Sequence, residues 1–407
     1  METLTEFYRI GRGPSSSHTI GPYRIIKEYL KLYPQTKNFK VHLYGSLALT
    51  GRGHKTDVAL QEAAGEDRKI HIIWDIKKVV DHPNTMDVIG IDAEGKELPL
   101  MTGISVGGGA IEIVGAKHNL NLDVYPQKSF NEIREYCKCN KFSLVDYVKQ
   151  FDPEGFKHLK EVYRVMCNSI AEGFKRRGLF NGPIKLSRKA LDSLERIKQH
   201  NLPKDSIYYA MSYAYAVAEV NVEHGVVVTA PTLGSAGILP AVMYYCEHNL
   251  GLSEEKIIEG LAVAGVIGNC FKHNGVVAGA SGGCQAEQGS ACSMAAGAYA
   301  YLIGANIDEI ETAAIIALEH HLGLTCDPIL GHVYSPCIER NAQLAMRAIL
   351  AGQHAILIAG THEIFDLDDI IEVQVETGRD LKPSYCETGL GGLSKKWKQK
   401  YNWTGEQ

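Results

Sequence analysis

The pattern of helix caps in the second part of the chain is the feature that most limits its possible folds. Ser253 precedes two glutamates at the start of an apolar stretch, which is typical of a helix N-cap with acidic residues in the first turn. Asn306 is followed three residues later by Glu309, the spacing of a capping box. A further helical pattern covers Cys337–Ile358. After Phe156, the chain is therefore predicted to be all-helical.

The first third of the chain has a different pattern, in which short β-rich runs are separated by glycine turns. Lys40–Leu47 alternates apolar and polar residues, and Lys69–Trp74 is dominated by isoleucine. Asp87–Val114 is predicted to form paired strands joined through Ala93–Lys96. The glycines at Gly107–Gly109 either bring backbone close to an anion or form only a bulge. These runs predict a small α+β domain.

The length of the chain indicates more than one domain. At 407 residues it exceeds a single ordinary domain, so a multidomain protein is expected. We place a small α+β domain at residues 1–126, a helical linker at 127–153 and a larger all-α domain at 154–407. The middle segment is treated as a connection because its pattern is polar and helical.

The charge balance and the apolar stretches exclude two classes of partner. There are 42 basic and 47 acidic residues, a net charge of −5, so the chain lacks the basic surface that nucleic-acid binding requires. Gly225–Cys246 and Gly289–Ile307 are uncharged, but their glycine, proline and alanine content predicts elements buried within protein. We expect a small-molecule partner, no nucleic acid and no membrane.

Three of the ten cysteines stand in unusual surroundings. The first residues, Met1–Tyr8, lack an export signal, so a reducing, cytoplasmic compartment is expected, in which thiols pack, react or bind metals. Cys284, Cys326 and Cys337 each stand beside glycine or proline at the edge of a predicted helix, where free backbone N–H groups favour a thiolate. No close Cys-x-x-Cys pair is present, so three small buried apolar residues stay the alternative.

Two loops that are bounded by glycines each contain a histidine among other polar residues. GPSSSHTIGP at 13–22 holds three serines, His18 and a threonine, which can bind a carboxylate through hydroxyl and backbone N–H groups. GRGHKTD at 51–57 presents His54 after a predicted strand, and histidine titrates near neutrality as a general base must. The plainer alternatives are a serine-rich surface turn and a solvated loop histidine.

Six motifs occur in order along almost the whole chain. They are GPSSSHTIGP at 13–22, GRGHKTD at 51–57, APTLGSAGILPA at 230–241, GGCQAEQGSACSMAA at 282–296, LGLTCDP at 322–328 and PCIERNA at 336–342. Together they resemble the bacterial iron–sulfur L-serine dehydratases, in the form with both regions on one chain. The resemblance implies an ammonia-lyase that converts L-serine to pyruvate and ammonia in serine catabolism and gluconeogenesis.

The resemblance also implies the cofactor. The cysteines that match the family's ligands to a [4Fe–4S] cluster are Cys284, Cys326 and Cys337, while Cys292 resembles a packing residue. Three thiolates leave one iron without a protein ligand, and such an iron is a Lewis acid for a hydroxyl oxygen and is sensitive to oxygen. Pyridoxal phosphate chemistry would need a lysine loop and a phosphate cradle, and we find no convincing pattern of that kind.

The family resemblance places the substrate site between the two domains. His54 is assigned as the base for the Cα proton, with His18 as a second catalytic residue beside it. The carboxylate clamp is assigned to a group of hydroxyl residues, namely Ser15, Ser16, Ser17 and Thr19. Asn341 and Arg340 are assigned to orient substrate or cluster, with a buried structural role as the alternative for Arg340.

The sequence departs from the family pattern in two places. It ends at Asn402–Gln407 without the terminal cysteine that caps the fourth iron in some members, so capping of that kind is not expected. Cys386 stands where relatives usually carry a basic residue before Glu-Thr. It is considered as an alternative fourth ligand, with an ordinary core or surface thiol as the favoured interpretation.

Two rival functions remain at this point. The first is the same chemistry on threonine or another β-substituted amino acid, which only kcat/KM values separate. The second is a non-catalytic iron–sulfur sensor that binds an amino acid, against which the histidine loops argue because a sensor needs no base. A homodimer is expected for a protein of this size and kind.

Overall fold

A computed structural model describes residues 1–116, 123–361 and 364–404, and it shows a small α/β region followed by a larger helical region. The predicted order of fold classes is therefore confirmed. Of the C-terminal run discussed above, residues 405–407 lie outside the described part of the chain.

The α/β region contains one five-stranded sheet and the helices that pack on it. Its elements, with the short N-terminal helix and strand, are α1 (Leu4–Phe7), β1 (Ile10–Arg12), α2 (Ile20–Leu32), β2 (Asn38–Tyr44), α3 (Gly45–Thr50), α4 (Thr56–Ala64), β3 (Lys69–Asp75), β4 (Thr85–Ile91), β5 (Met101–Gly107) and β6 (Ala110–Ile113). The strand order is β3-β2-β4-β5-β6, with β2 and β3 parallel and the other neighbours antiparallel. The parallel pair requires a crossover, which α3 and α4 provide.

The predicted strand at Lys40–Leu47 ends earlier than its pattern suggested. Gly45 has φ +50°, a left-handed conformation that glycine adopts without steric cost, and it turns the chain from β2 directly into α3. The predicted strands at Lys69–Trp74 and Asp87–Val114 are confirmed, the latter as three strands. Gly107–Gly109 forms the turn between β5 and β6, with a shift of register beside it.

The helical region has one extended apolar core. Its elements are α5 (Phe130–Asn140), α6 (Leu144–Phe151), α7 (Pro153–Gly173), α8 (Ala190–Gln199), α9 (Tyr208–Val222), β7 (Val226–Val228), α10 (Ile238–His248), α11 (Glu254–Asn274), α12 (Gly279–Gly282), α13 (Ser290–Leu302), α14 (Ile307–Glu319), α15 (Cys337–Leu357), α16 (Leu367–Asp380) and α17 (Gly392–Lys400). The helix starts predicted at Ser253 and Asn306 are confirmed, since each side chain accepts a backbone N–H of the first turn.

Helix α13 lies at the centre of this core, and its small residues allow neighbouring helices to approach closely. It is buried along Ser290–Ala300. A Cβ atom on Gly297 would lie 2.3 Å from the Cδ1 atom of Ile267, so a larger residue there would require the Ile267 side chain to move. Among the described residues, none of the helices combines the length and the apolar character that crossing a membrane requires.

The N-terminal segment belongs to the helical core. Leu4 and Phe7 of α1 are buried against α11, and β1 pairs antiparallel with β7. The segment predicted as a linker, 127–153, forms α5 and α6, which contribute buried residues to the same core. The domain boundaries at 126 and 154 stay predictions.

Candidate active site

The three candidate metal-ligating cysteines are positioned by different local structures. Cys337 is the first residue of α15, and Cys284 immediately precedes a single π-helical turn, Gln285–Gly289, that leads into α13. Both therefore lie at helix starts, as predicted. Cys326 instead lies in an extended segment whose backbone pairs in parallel with Cys386.

These three cysteines converge in the interior, although they are distant in sequence. Their exposed fractions are 1%, 4% and 7% for Cys284, Cys326 and Cys337. The Cys284 thiol contacts the other two thiols and the Arg340 guanidinium, and these contacts lower the pKa of Cys284 well below its usual value. Arg340 also donates from Nη1 to the Thr325 carbonyl at 2.7 Å, which holds the guanidinium beside the thiols.

The chemistry of this donor set fits an iron–sulfur cluster. Ligand atoms of Cys284, Cys326 and Glu287 lie within 4.8 Å of one another, with the Cys337 thiol in contact with Cys284. Soft thiolates at a buried site favour iron–sulfur clusters, zinc or copper(I) over hard cations. Glu287 adds an oxygen donor that accepts a hydrogen bond from the Thr232 hydroxyl at 2.8 Å.

His18 is buried in a network of hydroxyl groups that fixes its tautomer. The Thr50 hydroxyl donates to the Ser46 carbonyl at 2.9 Å, so it can only accept from His18 Nε2, which lies 2.9 Å away. His18 Nδ1 is then an acceptor for the Ser17 hydroxyl at 3.0 Å. Burial lowers the pKa of His18 to about 4, so its imidazole is neutral at physiological pH.

His54 presents a free nitrogen lone pair. Its Nδ1 lies 3.1 Å from the Thr50 carbonyl oxygen, which can only accept, so Nδ1 carries the proton. Its Nε2 is buried and has no hydrogen-bond partner within the described residues. Burial, and to a lesser degree the neighbouring His18 and His332, lower the pKa of His54 well below its ordinary value. The side chain is therefore a neutral acceptor.

Glu387 joins the histidines to the cysteines. Its Oε1 atom lies 3.9 Å from His18 Nδ1 and 3.7 Å from His54 Nε2, and the two imidazole centroids are 4.4 Å apart. The Glu387 backbone N–H donates to the Cys326 carbonyl at 2.8 Å, and its carbonyl accepts from the Ser46 hydroxyl at 3.0 Å. Burial raises the pKa of the Glu387 carboxyl well above its usual value.

The predicted carboxylate clamp is only partly assembled around the histidines. Ser15 and Ser17 contact each other at 3.1 Å and both contact His18, at 3.4 and 3.0 Å. Ser16 is buried beside them. Thr19 donates its hydroxyl to the carbonyls of Arg12 and Ser15 and lines a cleft of about 580 Å³ on the outer side of the loop. The role of all four residues as a clamp stays a prediction.

Asn341 holds two backbone segments together. Its Oδ1 accepts from the Gly237 N–H at 2.9 Å, and its Nδ2 donates to the carbonyls of Gly234 and Cys337, each at 2.9 Å. These bonds tie the start of α15 to the loop before α10. Its assignment as a substrate-binding residue stays a prediction.

Sequence reasoning missed two acidic residues of the site. Glu287 lies inside the GGCQAEQGSACSMAA motif, but a single glutamate in a helical pattern gives no signal of its own. Glu387 was noted only as the neighbour of Cys386. Its left-handed backbone, φ +55°, is unusual for a non-glycine residue, but that conformation is visible only in the structure.

Imidazole, carboxylate and thiol groups that are buried together and face one another are typical of the active site of an enzyme. A family model described as the serine dehydratase alpha chain matches residues 78–394, and one described as the serine dehydratase beta chain matches residues 3–64. The chain belongs to the serine dehydratase family, in the form that carries both regions, and is a lyase. The family resemblance seen in the sequence is confirmed.

Similar proteins cover nearly the whole chain. An L-serine dehydratase of Streptomyces coelicolor is 35% identical over 96% of this chain and 98% of its own length. An L-serine dehydratase of Escherichia coli K12 is 35% identical over 97% of this chain and 99% of its own length. An L-serine dehydratase of Helicobacter pylori is 33% identical over 97% of this chain and 98% of its own length.

Proposed function

We propose that this protein is an L-serine ammonia-lyase, which converts L-serine to pyruvate and ammonia with a [4Fe–4S] cluster bound by Cys284, Cys326 and Cys337. The observation that carries the proposal is the free lone pair of His54 Nε2, buried beside a converging set of thiols. The names of the relatives support serine as the substrate.

The bound cluster would supply a Lewis-acidic iron that makes the β-hydroxyl a better leaving group. Four features of the cysteine site support its binding there: three soft donors, deep burial, helix starts at Cys284 and Cys337, and the Arg340 guanidinium. A guanidinium next to thiolates offsets part of their negative charge. No net redox change is required, and an iron without a protein ligand would make activity sensitive to oxygen.

The residues of the chain perform the remaining steps. The hydroxyl groups and backbone of the 15–19 loop bind the carboxylate of serine. His54 Nε2 takes the Cα proton, while Thr50 holds the ring through Nδ1. The electron pair of the Cα–H bond forms the Cα=Cβ bond as the Cβ–O bond breaks. The hydroxyl leaves as water after it receives a proton, which the His54 imidazolium can return.

The product of this elimination is aminoacrylate, which tautomerises to the imine. Hydrolysis of the imine then yields pyruvate and ammonia, so the atoms balance without a further reactant except water. His18 is neutral and held by Ser17 and Thr50, and we assign it to orient the loop and to support His54. A cytoplasmic location and a homodimer stay predictions from the sequence.

The test is an anaerobic assay of the reconstituted protein for keto-acid formation from L-serine and L-threonine. We expect pyruvate from L-serine with the higher kcat/KM. Turnover of L-threonine alone would change the substrate but keep the chemistry. Absence of turnover of either amino acid, with a cluster present, would favour the sensor instead.

A further inference from the structure

A serine zwitterion presents three groups, and the proposed function leaves one of them without a partner. The 15–19 loop is assigned to the carboxylate, and the cysteine site to the hydroxyl. The ammonium group carries a full positive charge, and burying it is costly unless acceptors or an opposite charge receive it. The site should therefore contain an acceptor whose hydrogen-bonding capacity is not used within the protein.

The groups around His54 have unused acceptor capacity. His54 Nε2 carries no proton, and His18 Nδ1 is the acceptor for Ser17, so neither nitrogen donates toward Glu387. Glu387 Oε1 nevertheless lies only 3.7 Å and 3.9 Å from them, and Oε2 is buried without a partner in the part of the chain that the structure describes. The Ser15 hydroxyl and the Ala280 N–H lie at the Glu387 carboxyl group, but Oε2 and the lone pair of His54 Nε2 can still accept from a ligand.

We propose that Glu387 binds the ammonium group of the substrate, a role that rests on the proposed function. The ammonium N–H groups match the two oxygens of the Glu387 carboxyl group, which leaves His18 Nδ1 for the Ser17 hydroxyl and the His54 Nε2 lone pair for the Cα–H bond. Burial favours the neutral carboxyl group in the free enzyme, and the positive charge of the ammonium group stabilises its ionised form. The Cα atom is bonded directly to the ammonium nitrogen, so this binding mode places the Cα–H bond beside His54 Nε2. Glu387 then selects L-amino acids over acids of the same shape that lack the amino group.

Glu287, the other acid of the site, is less suited to this role. Its Oε1 atom accepts from the Thr232 hydroxyl, and its carboxylate packs against the cysteines, at the backbone of Gly279. Glu387 differs because its carboxylate lies between the histidines. Its backbone is fixed on two sides, by Cys326 and by the Ser46 hydroxyl, so the carboxylate is positioned before substrate arrives.

The experiment uses anaerobically reconstituted holoenzyme and two probes, L-serine as substrate and 3-hydroxypropanoate, which is serine without its amino group, as inhibitor. In the wild type we expect 3-hydroxypropanoate to bind at least about tenfold more weakly than L-serine. In E387Q we expect the KM for L-serine to rise at least about tenfold, while the inhibition constant of 3-hydroxypropanoate changes less than about twofold.

The matched control is Thr388→Val, on the same segment. The Thr388 hydroxyl donates to the Pro383 carbonyl at 3.1 Å and contacts no residue of the site, so the KM should stay within about twofold. Iron content and the unfolding midpoint verify that each variant is folded. Glu387→Asp, which retains a charge but is shorter, should fall between the wild type and E387Q.

An unchanged KM in E387Q, or a fall in kcat alone, would overturn the proposal, because a residue that only supports the histidines changes kcat. Equal affinities of the wild type for the two probes would also overturn it, and that comparison requires no variant. A wild type without any L-serine turnover would remove the proposed function as well. If E387Q turns over L-serine with an unchanged KM, the proposed role of Glu387 is excluded but the proposed function is not.

Discussion

The hydrogen bond from His54 to the Thr50 carbonyl determines which nitrogen of the imidazole can act. A carbonyl accepts only, so Nδ1 carries the proton and Nε2 is left with its lone pair. His54→Asn tests this directly, because the asparagine N–H can still donate toward Thr50 while no base remains. We expect kcat to fall about 100-fold or more with the cluster content unchanged, measured by anaerobic steady-state kinetics and iron analysis.

The control for this substitution is His320→Asn. His320 is exposed at the end of α14, where its Nδ1 donates to the Ile316 carbonyl and lies 3.3 Å from the exposed Glu319 carboxylate, away from the site, so its loss should leave kcat within about twofold. An H54N enzyme with most of its turnover would show that another group takes the Cα proton.

The pH dependence of kcat/KM follows from the burial of His54. Burial lowers the pKa of His54 well below 6.5, and the facing His18 and His332 act in the same direction, with Glu387 as the facing carboxyl group. The neutral form of His54 is the base, so its contribution is lost as the pH falls through its lowered pKa. The acid limb that belongs to His54 should therefore lie below pH 6.5, and a limb that belongs to Glu387, whose pKa burial raises, should be absent in E387Q.

The measurement is a profile of kcat/KM between about pH 5 and about pH 8, with enzyme returned to neutral pH to exclude irreversible loss of the cluster. An acid limb at or above pH 6.5 that persists in E387Q would contradict the structural account of His54.

At the residue scale, the sequence predicted side chains with a local signal and missed those without one. A histidine in a glycine-framed loop and a cysteine beside proline or glycine are recognisable in a single sequence. His54 could therefore be proposed as a base and Cys337 as a metal ligand. Glu387 could not, because its partner Ser46 is 341 residues away and no spacing pattern links them. The backbone bonds of Asn341 are likewise long-range.

At the scale of elements, glycines on α11 determine how closely α1 can approach. A Cβ atom on Gly268 would lie 2.2 Å from the Cζ atom of Phe7 and 2.8 Å from the Met294 sulfur, so Gly268→Ala must displace the Phe7 ring and the Met294 side chain. We expect a loss of about 1–3 kcal/mol in unfolding free energy, the usual cost of overpacking. The measurement is the shift of the thermal unfolding midpoint under anaerobic conditions.

The same helix provides the matched control, Gly260→Ala. A Cβ atom there would meet only the flexible end of Leu302 at 3.1 Å, so the helix propensity of alanine should dominate and the midpoint should stay the same or rise. Equal destabilisation by both substitutions would refute the packing argument for Gly268.

Elements were predictable where their signals are local. The cap at Ser253 and the capping box at Asn306 are each contained in four residues, and both helix starts were placed correctly. The boundary between β2 and α3 was missed, because a left-handed Gly45 is one of several conformations that glycine can adopt. The packing of α5 and α6 into the core depends on tertiary contacts that their polar pattern does not reveal.

At the scale of the whole molecule, the site forms because segments that are distant in sequence pack in direct contact with one another. A Cβ atom on Gly53 would lie 2.7 Å from the Gly331 carbonyl oxygen, so the loop that carries His54 lies directly on the turn after Cys326. Glu387 closes the arrangement through its bond to the Cys326 carbonyl. The sequence gives each segment separately, but contacts over such separations depend on the complete fold.

The central claim is that Cys284, Cys326 and Cys337 hold a cluster beside His54, and iron and sulfide analysis tests it most directly. The comparison is between Cys284→Ser and Cys292→Ser, because Cys292 is equally buried but bonds only to the Leu344 carbonyl. After anaerobic reconstitution, we predict about four irons and four sulfides per chain in the wild type and in C292S, and loss of most of both in C284S. Zinc in place of iron, or an undiminished iron content in C284S, would contradict the account.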